Sequence, residues 1–397
     1  MRLAVLAPGA SPAFLPESRQ GVGGAERQLA SLARGLVARG HDVDVLVAAG
    51  PALDPERPRI VDGVRLWPSF PAGGLPVFKL IHPKGTALAA FLRRRGSELL
   101  LQRGASELTG LGRAVTGLLG LPFVFASASD SDFVPGRELL PHPQDRVLFR
   151  QGVARADAIV LQSARQRLAL RRAQGREGDV LRSFMGGPLP PRPALPRGRA
   201  VLWGGNLRPV KRPEWLLALA DALPDQRFIV FGGVVAGQER YAAPIQRALN
   251  ARANVDYRGA VAPEALPGIV AECGVLLITS ITEGFPNTLL EAWSGGLEVV
   301  STVDPDGLLA DRGLGRVGRT MGELQAGLKA AAAAGEAEKD ARRRRAWEHL
   351  RQEHDSAALL EKWEGVLQGA IREVRGSTST VAASGGPQES PGLLPFR

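Results

Sequence analysis

Cysteine is nearly missing from this 397-residue chain: Cys273 stands alone, which excludes a disulfide framework and any multi-cysteine zinc site and suits a reducing compartment. Histidine is sparse too. His41, His82, His142, His349 and His354 are scattered, so no imidazole cluster offers a metal centre. Long hydrophobic runs are absent. The best candidate, Leu108 to Ala128, is broken by Arg113, Pro122 and several glycines and falls short of the ~20 apolar residues of a membrane span. The opening MRLAVLAPGASPA has an apolar core too short for a secretory signal, which needs ~7–15 residues, and reads as a first strand. Lysine is rare as well: 6 against 44 arginines, a skew that marks each lysine for attention.

What is present is ordinary globular material, with 44% hydrophobic and 23% charged residues, which rules out wholesale disorder. The length predicts two to three domains. The net charge of +10 is uneven, because residues 1–185 carry 25 basic and 16 acidic side chains and the rest carry 25 and 24. A basic first half suggests an acidic partner or membrane surface; a solvated arginine-rich surface is the alternative.

Apolar runs at 3–7, 43–48, 64–67, 99–101, 123–126 and 158–161 alternate with helical periodicity, beginning with a βαβ unit. The helix between the first two strands opens after Gly21-Val22-Gly23-Gly24, and a later one is capped by Ser163 and ends near Gly175. Residues 186–199, rich in proline, form the expected linker. The alternation then restarts at 200–203, 228–231, 255–257, 275–279 and 299–301, with helices near Pro213, Glu239, Glu264 and Thr288. The expected organisation is therefore α/β: an N-terminal domain over 1–185, a C-terminal domain over 200–345, C-terminal helices over 346–375 and a disordered tail over 376–397. Two such Rossmann-like domains with parallel sheets imply a central cleft at the carboxyl ends of the strands.

The most informative segment runs from Ser280 to Thr302, SITEGFPNTLLEAWSGGLEVVST. A strand ends, a loop carries Glu283, and Asn287 is placed to cap a helix containing Glu291. The N–H groups of Thr288, Leu289 and Leu290 would offer an anion site, and the two carboxylates would accept paired hydroxyls. After the linker, Gly205-Asn206-Leu207-Arg208-Pro209-Val210-Lys211 supplies cations at another strand end, with Lys211 standing out among few lysines. Gly23 and Gly24 allow close backbone approach to a phosphate or an acceptor; the spacing is not that of a dinucleotide fingerprint. Asp130-Ser131-Asp132 and Asp304-Pro305-Asp306 each spell D-x-D, for which a loop or capping role is expected rather than a metal site.

In the E-x7-E segment, in GGAERQLASLARGLVARGHDVDVLV and in VLWGGNLRPVKRPEWLL, the chain resembles the family-4 retaining glycosyltransferases of the GT-B fold over roughly residues 1–310. The resemblance implies transfer of a sugar from a nucleotide-diphosphate sugar. Glu283 would contact the donor sugar, Glu291 the ribose, and Lys211 with Arg208 the diphosphate. Gly284, Phe285, Asn287, Thr288, Leu289, Gly205 and Asn206 would line the donor site. Gly23, Gly24, Ser129 and Asp130 would face the cleft from the N-terminal domain, and the base would lie near Arg258-Gly259-Ala260-Val261. Two departures from the family pattern stand out: Asn206 holds the position of the diphosphate arginine, and Ser129 sits about where a histidine is usual. The expected acceptor is a glycan or lipid-linked molecule of cell-surface polysaccharide or glycolipid synthesis. No metal, cofactor or nucleic acid is expected, and the setting is the cytoplasm, against the cytoplasmic face of an anionic membrane. A nucleotide-sugar epimerase of the same fold and a nucleotide-sugar-binding protein without transferase activity remain as alternatives.

Overall fold

The computed structural model describes residues 1–15, 23–50, 53–70, 80–140, 142–185, 189, 191–193, 198–235 and 237–383. The N-terminal sheet holds β1 (Arg2–Leu6), β2 (Asp42–Val47), β3 (Arg59–Val61), β4 (Val64–Pro68), β5 (Leu99–Arg103), β6 (Phe123–Ala126), β7 (Ala158–Leu161) and β8 (Asp179–Val180). Its spatial order is β3-β4-β2-β1-β5-β6-β7-β8. The C-terminal sheet holds β9 (Ala200–Gly204), β10 (Phe228–Phe231), β11 (Val255–Tyr257), β12 (Cys273–Ile278), β13 (Glu298–Ser301) and β14 (Arg316–Val317), in the order β11-β10-β9-β12-β13-β14. Counted from its own first strand, that is the 3-2-1-4-5-6 arrangement of a doubly wound sheet, with the order reversing between β9 and β12.

The strands are short and apolar on both faces because helices cover both sides, so alternation gives way to runs such as the fully buried Phe228–Phe231. All pairings are parallel except β3 with β4, an edge hairpin closed by Asp62 and Gly63 at φ +49° and +78°. Two consecutive left-handed residues make a type I′ turn, the geometry that Asp-Gly favours. The alternation of strands and helices predicts a parallel first half, and the Asp62-Gly63 turn makes this one edge antiparallel.

The largest difference lies at the C-terminus. The helix Ser356–Ala383 runs through Gly376, where a disordered tail was expected; residues 384–397 lie outside the described residues. Leu359, Trp363, Leu367, Ala370 and Ile371 share one face of it and are buried with Leu29, Leu32 and Leu36 in the N-terminal core. Leu360 covers Gly35, while Glu364 holds Arg39 at 2.7 Å and His41 at 2.6 Å. The helix before it, Glu336–Glu353, packs instead on the C-terminal domain through Ala346 and Leu350. The chain therefore crosses the cleft twice, and the C-terminal helices are not a layer of their own. Among the described residues, no helix is long and apolar enough to cross a membrane.

Candidate active site

The order reversal places two loops side by side, the one after β9 with Lys211 and the one after β12 with Glu283. Lys211 Nζ and the Glu283 carboxylate form an ion pair, and Ser280 Oγ donates to the same carboxylate at 2.5 Å. Several bonds lock the loops together. Ile281 N donates to Val210 O at 2.8 Å, and Thr279 Oγ1 donates to Lys211 O at 2.6 Å. Arg212, left-handed at φ +47°, donates to the carbonyls of Thr279 (2.6 Å) and Ser280 (3.1 Å), and its guanidinium lies over the Trp215 ring. A non-glycine residue held at positive φ is strained by about 1–3 kcal/mol, so these bonds must over-determine it. Gly232 is needed for a different reason: a Cβ there would stand 1.8 Å from Gly205 O, where the loop after β10 crosses the loop after β9.

Arg208, expected to share the diphosphate with Lys211, is exposed, and among the described residues it has no ion-pair partner. Gly205 lies against the Lys211 stem, and Asn206 is in the same loop. Two residues of the expected donor set have buried side chains. Phe285 is 5% exposed and packs edge-on to Trp293 and against His354, and Leu289 is fully buried. Both side chains serve the hydrophobic core, because a loop entering a helix over a parallel sheet must bury its apolar side. Gly284 instead abuts the other domain, since a Cβ on it would meet Ala128 O at 2.5 Å.

The helix Asn287–Ser294 is capped by Pro286, not by Asn287. Asn287 is its first residue, and its amide is turned outward: Nδ2 donates to Gly24 O at 2.9 Å and Oδ1 accepts from Gln28 Nε2 at 3.2 Å. Of the three N–H groups expected to be free, that of Leu289 donates to Pro286 O. Thr288 stays part-exposed at the helix start. One turn on, Glu291 Oε1 accepts from Arg27 Nη1 at 2.8 Å, whereas Oε2 is buried with no hydrogen-bond partner among the described residues. Burial pushes the Glu291 carboxyl above its ordinary range and Arg27 pulls it back. Arg27 and Gln28 were not singled out from the sequence. They occupy successive positions after GGAE at the start of the Gly24–Ala38 helix, so the glycine loop and the E-x7-E helix dock directly on each other. Gly21 and Val22 lie outside the described residues.

On the opposite wall, Asp130 N donates to Glu283 O at 3.2 Å, bringing the loop after β6 onto the loop after β12. Its side chain accepts from Gln166 Nε2, and burial raises its pKa to about 6. Ser129 Oγ accepts from Ser131 N and contacts Ser131 Oγ, so its hydroxyl serves its own turn. Asp132 accepts from the N–H groups of Ala128 and Ser129, closing a capping box. In the second D-x-D, Asp304 accepts from Leu309 N and Ala310 N. Asp306 reaches across the cleft to Ala164 N, Arg165 N and Arg182. Both triplets thus act as caps and clasps.

Beside Glu291 opens a groove of about 990 Å³, walled by Arg27, Ser31 and Arg34 on one side and by Ala260–Glu264, Leu266 and Leu290 on the other. Arg258, in the expected base region, turns away to Asp256 and Glu272.

Residues 23–182 match the glycosyl transferase 4-like domain and residues 198–318 match the glycosyl transferases group 1 domain. A comparison with curated protein sequences returns no match. Among solved structures, the chain is similar to sucrose-phosphate synthase from Thermosynechococcus elongatus (TM-score 0.71, 18% identity, 97% of this chain and 100% of that one). It is equally similar to Anabaena Alr3699/HepE in complex with UDP and glucose (0.71, 18%, 93% and 100%). The catalytic domain of starch synthase IV from Arabidopsis thaliana, bound to ADP and acarbose, also superimposes (0.64, 13%, 94% and 99%). With one domain of each kind joined in this order, and two parallel sheets facing one cleft, the chain belongs to the glycosyltransferases of the GT-B fold.

Proposed function

We propose that this glycosyltransferase moves a hexose from a nucleotide-diphosphate sugar to a glycan or lipid-linked acceptor with retention of anomeric configuration. The observation that carries the reading is the Lys211–Glu283 ion pair at the order reversal of the C-terminal sheet, facing the Ala128–Asp130 loop. Ligands of such sheets bind in that crevice. Lys211, helped by Arg208 once a diphosphate draws it in, offsets the charge that develops on the leaving group. Glu283 exchanges its lysine contact for sugar hydroxyls, and Glu291 accepts from the ribose. With no second carboxylate placed as a nucleophile among the residues assigned here, the leaving diphosphate takes the acceptor's proton during front-face attack.

The D-x-D carboxylates are engaged as caps, so the reading assigns the diphosphate to side-chain cations and helix amides and requires no divalent metal. For the acceptor, the excess positive charge of residues 1–185 supports an anionic or lipid-linked molecule met at the cytoplasmic face of a membrane. Of the arginines in that half, Arg95 binds buried Asp44, Arg165 faces Asp130 and Arg171 faces Glu177. Arg93, Arg94, Arg167 and Arg172 remain exposed.

The deciding experiment incubates the protein with UDP-, ADP- and GDP-sugars and follows release of the nucleoside diphosphate and the anomer of the product by NMR. Slow donor hydrolysis with the donor's own anomeric configuration supports the reading. Sugar interconversion without nucleotide release indicates an epimerase, and binding without turnover in the presence of acceptor extracts indicates a binding protein.

A further inference from the structure

The contact between Arg27 and Glu291 joins residues 264 positions apart and lies at the mouth of the groove beside the E-x7-E helix. A carboxylate offers about four lone-pair sites on two oxygens. Arg27 occupies one of them, on Oε1, and Oε2 is left buried with no partner among the described residues. An orphaned buried acceptor calls for an explanation, and the one at hand is a ligand with paired hydroxyl donors. The helix turn that carries Arg27 is itself held in place: the next residue, Gln28, bonds Asn287 and the Phe184 carbonyl, and the Asn287 amide bonds Gly24 O. These contacts pin the first turn of the Gly24–Ala38 helix to the first turn of the Asn287–Ser294 helix.

We infer that Arg27 is a positioning residue for nucleotide recognition, holding the Glu291 carboxylate turned so that its oxygens meet the ribose hydroxyls. The inference rests on the assignment of Glu291 to the ribose. It adds that ribose recognition belongs to both domains: the carboxylate comes from the C-terminal domain and the group that aims it from the N-terminal one.

The test compares affinities of the full-length protein for a nucleoside diphosphate and for its 2′,3′-dideoxy analogue, using whichever of UDP, ADP and GDP binds the wild type best. Wild type is expected to prefer the ribonucleotide at least tenfold, and Glu291→Gln to lose that preference. Arg27→Met and Arg27→Gln should lose it too, Arg27→Lys should recover part of it, and the double variant Arg27→Met with Glu291→Gln should be no worse than either alone. Retained preference in both Arg27→Met and Arg27→Gln, with Glu291→Gln losing it, overturns the role of Arg27 and leaves the ribose assignment standing. Absence of any preference in the wild type overturns the ribose assignment itself. Tighter ribonucleotide binding by Arg27→Met also overturns the inference, because Arg27 would then be a competitor for the carboxylate.

Discussion

The two domains close their cores by different means. The C-terminal sheet draws its strands and covering helices from one continuous stretch, each new strand joining the sheet beside an earlier one and the order reversing once, at β9 and β12. The N-terminal domain has an antiparallel hairpin at one edge and is completed by Trp363 and its neighbours, which arrive from the far end of the chain. The acidic side chains diverge as well. Asp44, Asp132 and Glu138 in the N-terminal domain are buried in internal bonds. Glu283 and Glu291 in the C-terminal domain stand at the cleft against single cations. Both domains also bury carboxylates against their own groups, Glu298 between Arg316 and Arg342 among them, so the difference lies in the pair at the cleft.

That contrast breaks first at Trp363. Replacing it by alanine removes a large buried side chain and should cost about 3–5 kcal/mol. Hydrogen exchange should then show lost protection in the Gly24–Ala38 helix while β12 keeps its own; equal loss in both would mean that the domains share one core. Lys211→Ala comes next, with turnover falling by roughly 10²–10³, the scale for removing one group that stabilises developing charge. Donor hydrolysis rates measure it, and a variant within tenfold of wild type would shift the leaving-group role to Arg208.

Smaller effects sharpen the division between the two glutamates. Glu291→Ala should weaken nucleoside diphosphate binding by about 1–3 kcal/mol, read by calorimetry. Glu283→Gln should slow turnover and leave that affinity nearly intact. Reversing Arg93 and Arg94 to glutamate tests the basic domain: each basic residue near an anionic bilayer contributes about 1 kcal/mol, so flotation with anionic liposomes at low salt should be lost. Near 0.5 M salt, where the Debye length is roughly 4 Å, the wild type should release too. EDTA is expected to leave transferase activity unchanged, and loss with rescue by Mn²⁺ would assign Asp130 and Asp132 to a metal.

Much of the frame was legible in the chain. Phe123–Ala126, Ala158–Leu161, Phe228–Phe231 and Val255–Tyr257 are strands with the expected ends, because a short apolar run between turn residues has few other uses. The helix capped by Ser163 and closed by left-handed Gly175 follows the same local rules. That the Phe285 and Leu289 side chains turn into the core could not be read from the motif, which gives order along the chain, not the direction in which each side chain points. Arg27 was passed over because one arginine among 44 carries no signal of its own.

Local chemistry, then, determined the alternation of strands and helices and the separate loops that carry Lys211 and Glu283. Those features depend on neighbours within a few residues, where dihedral preference and apolar spacing decide. Tertiary structure alone decided that Glu291 meets Arg27, that Asp306 caps a helix of the other domain, and that the final helix closes the first domain. Each of these joins groups more than a hundred residues apart, and burial favours such a pairing only once both domains have folded and the cleft between them has shut out water.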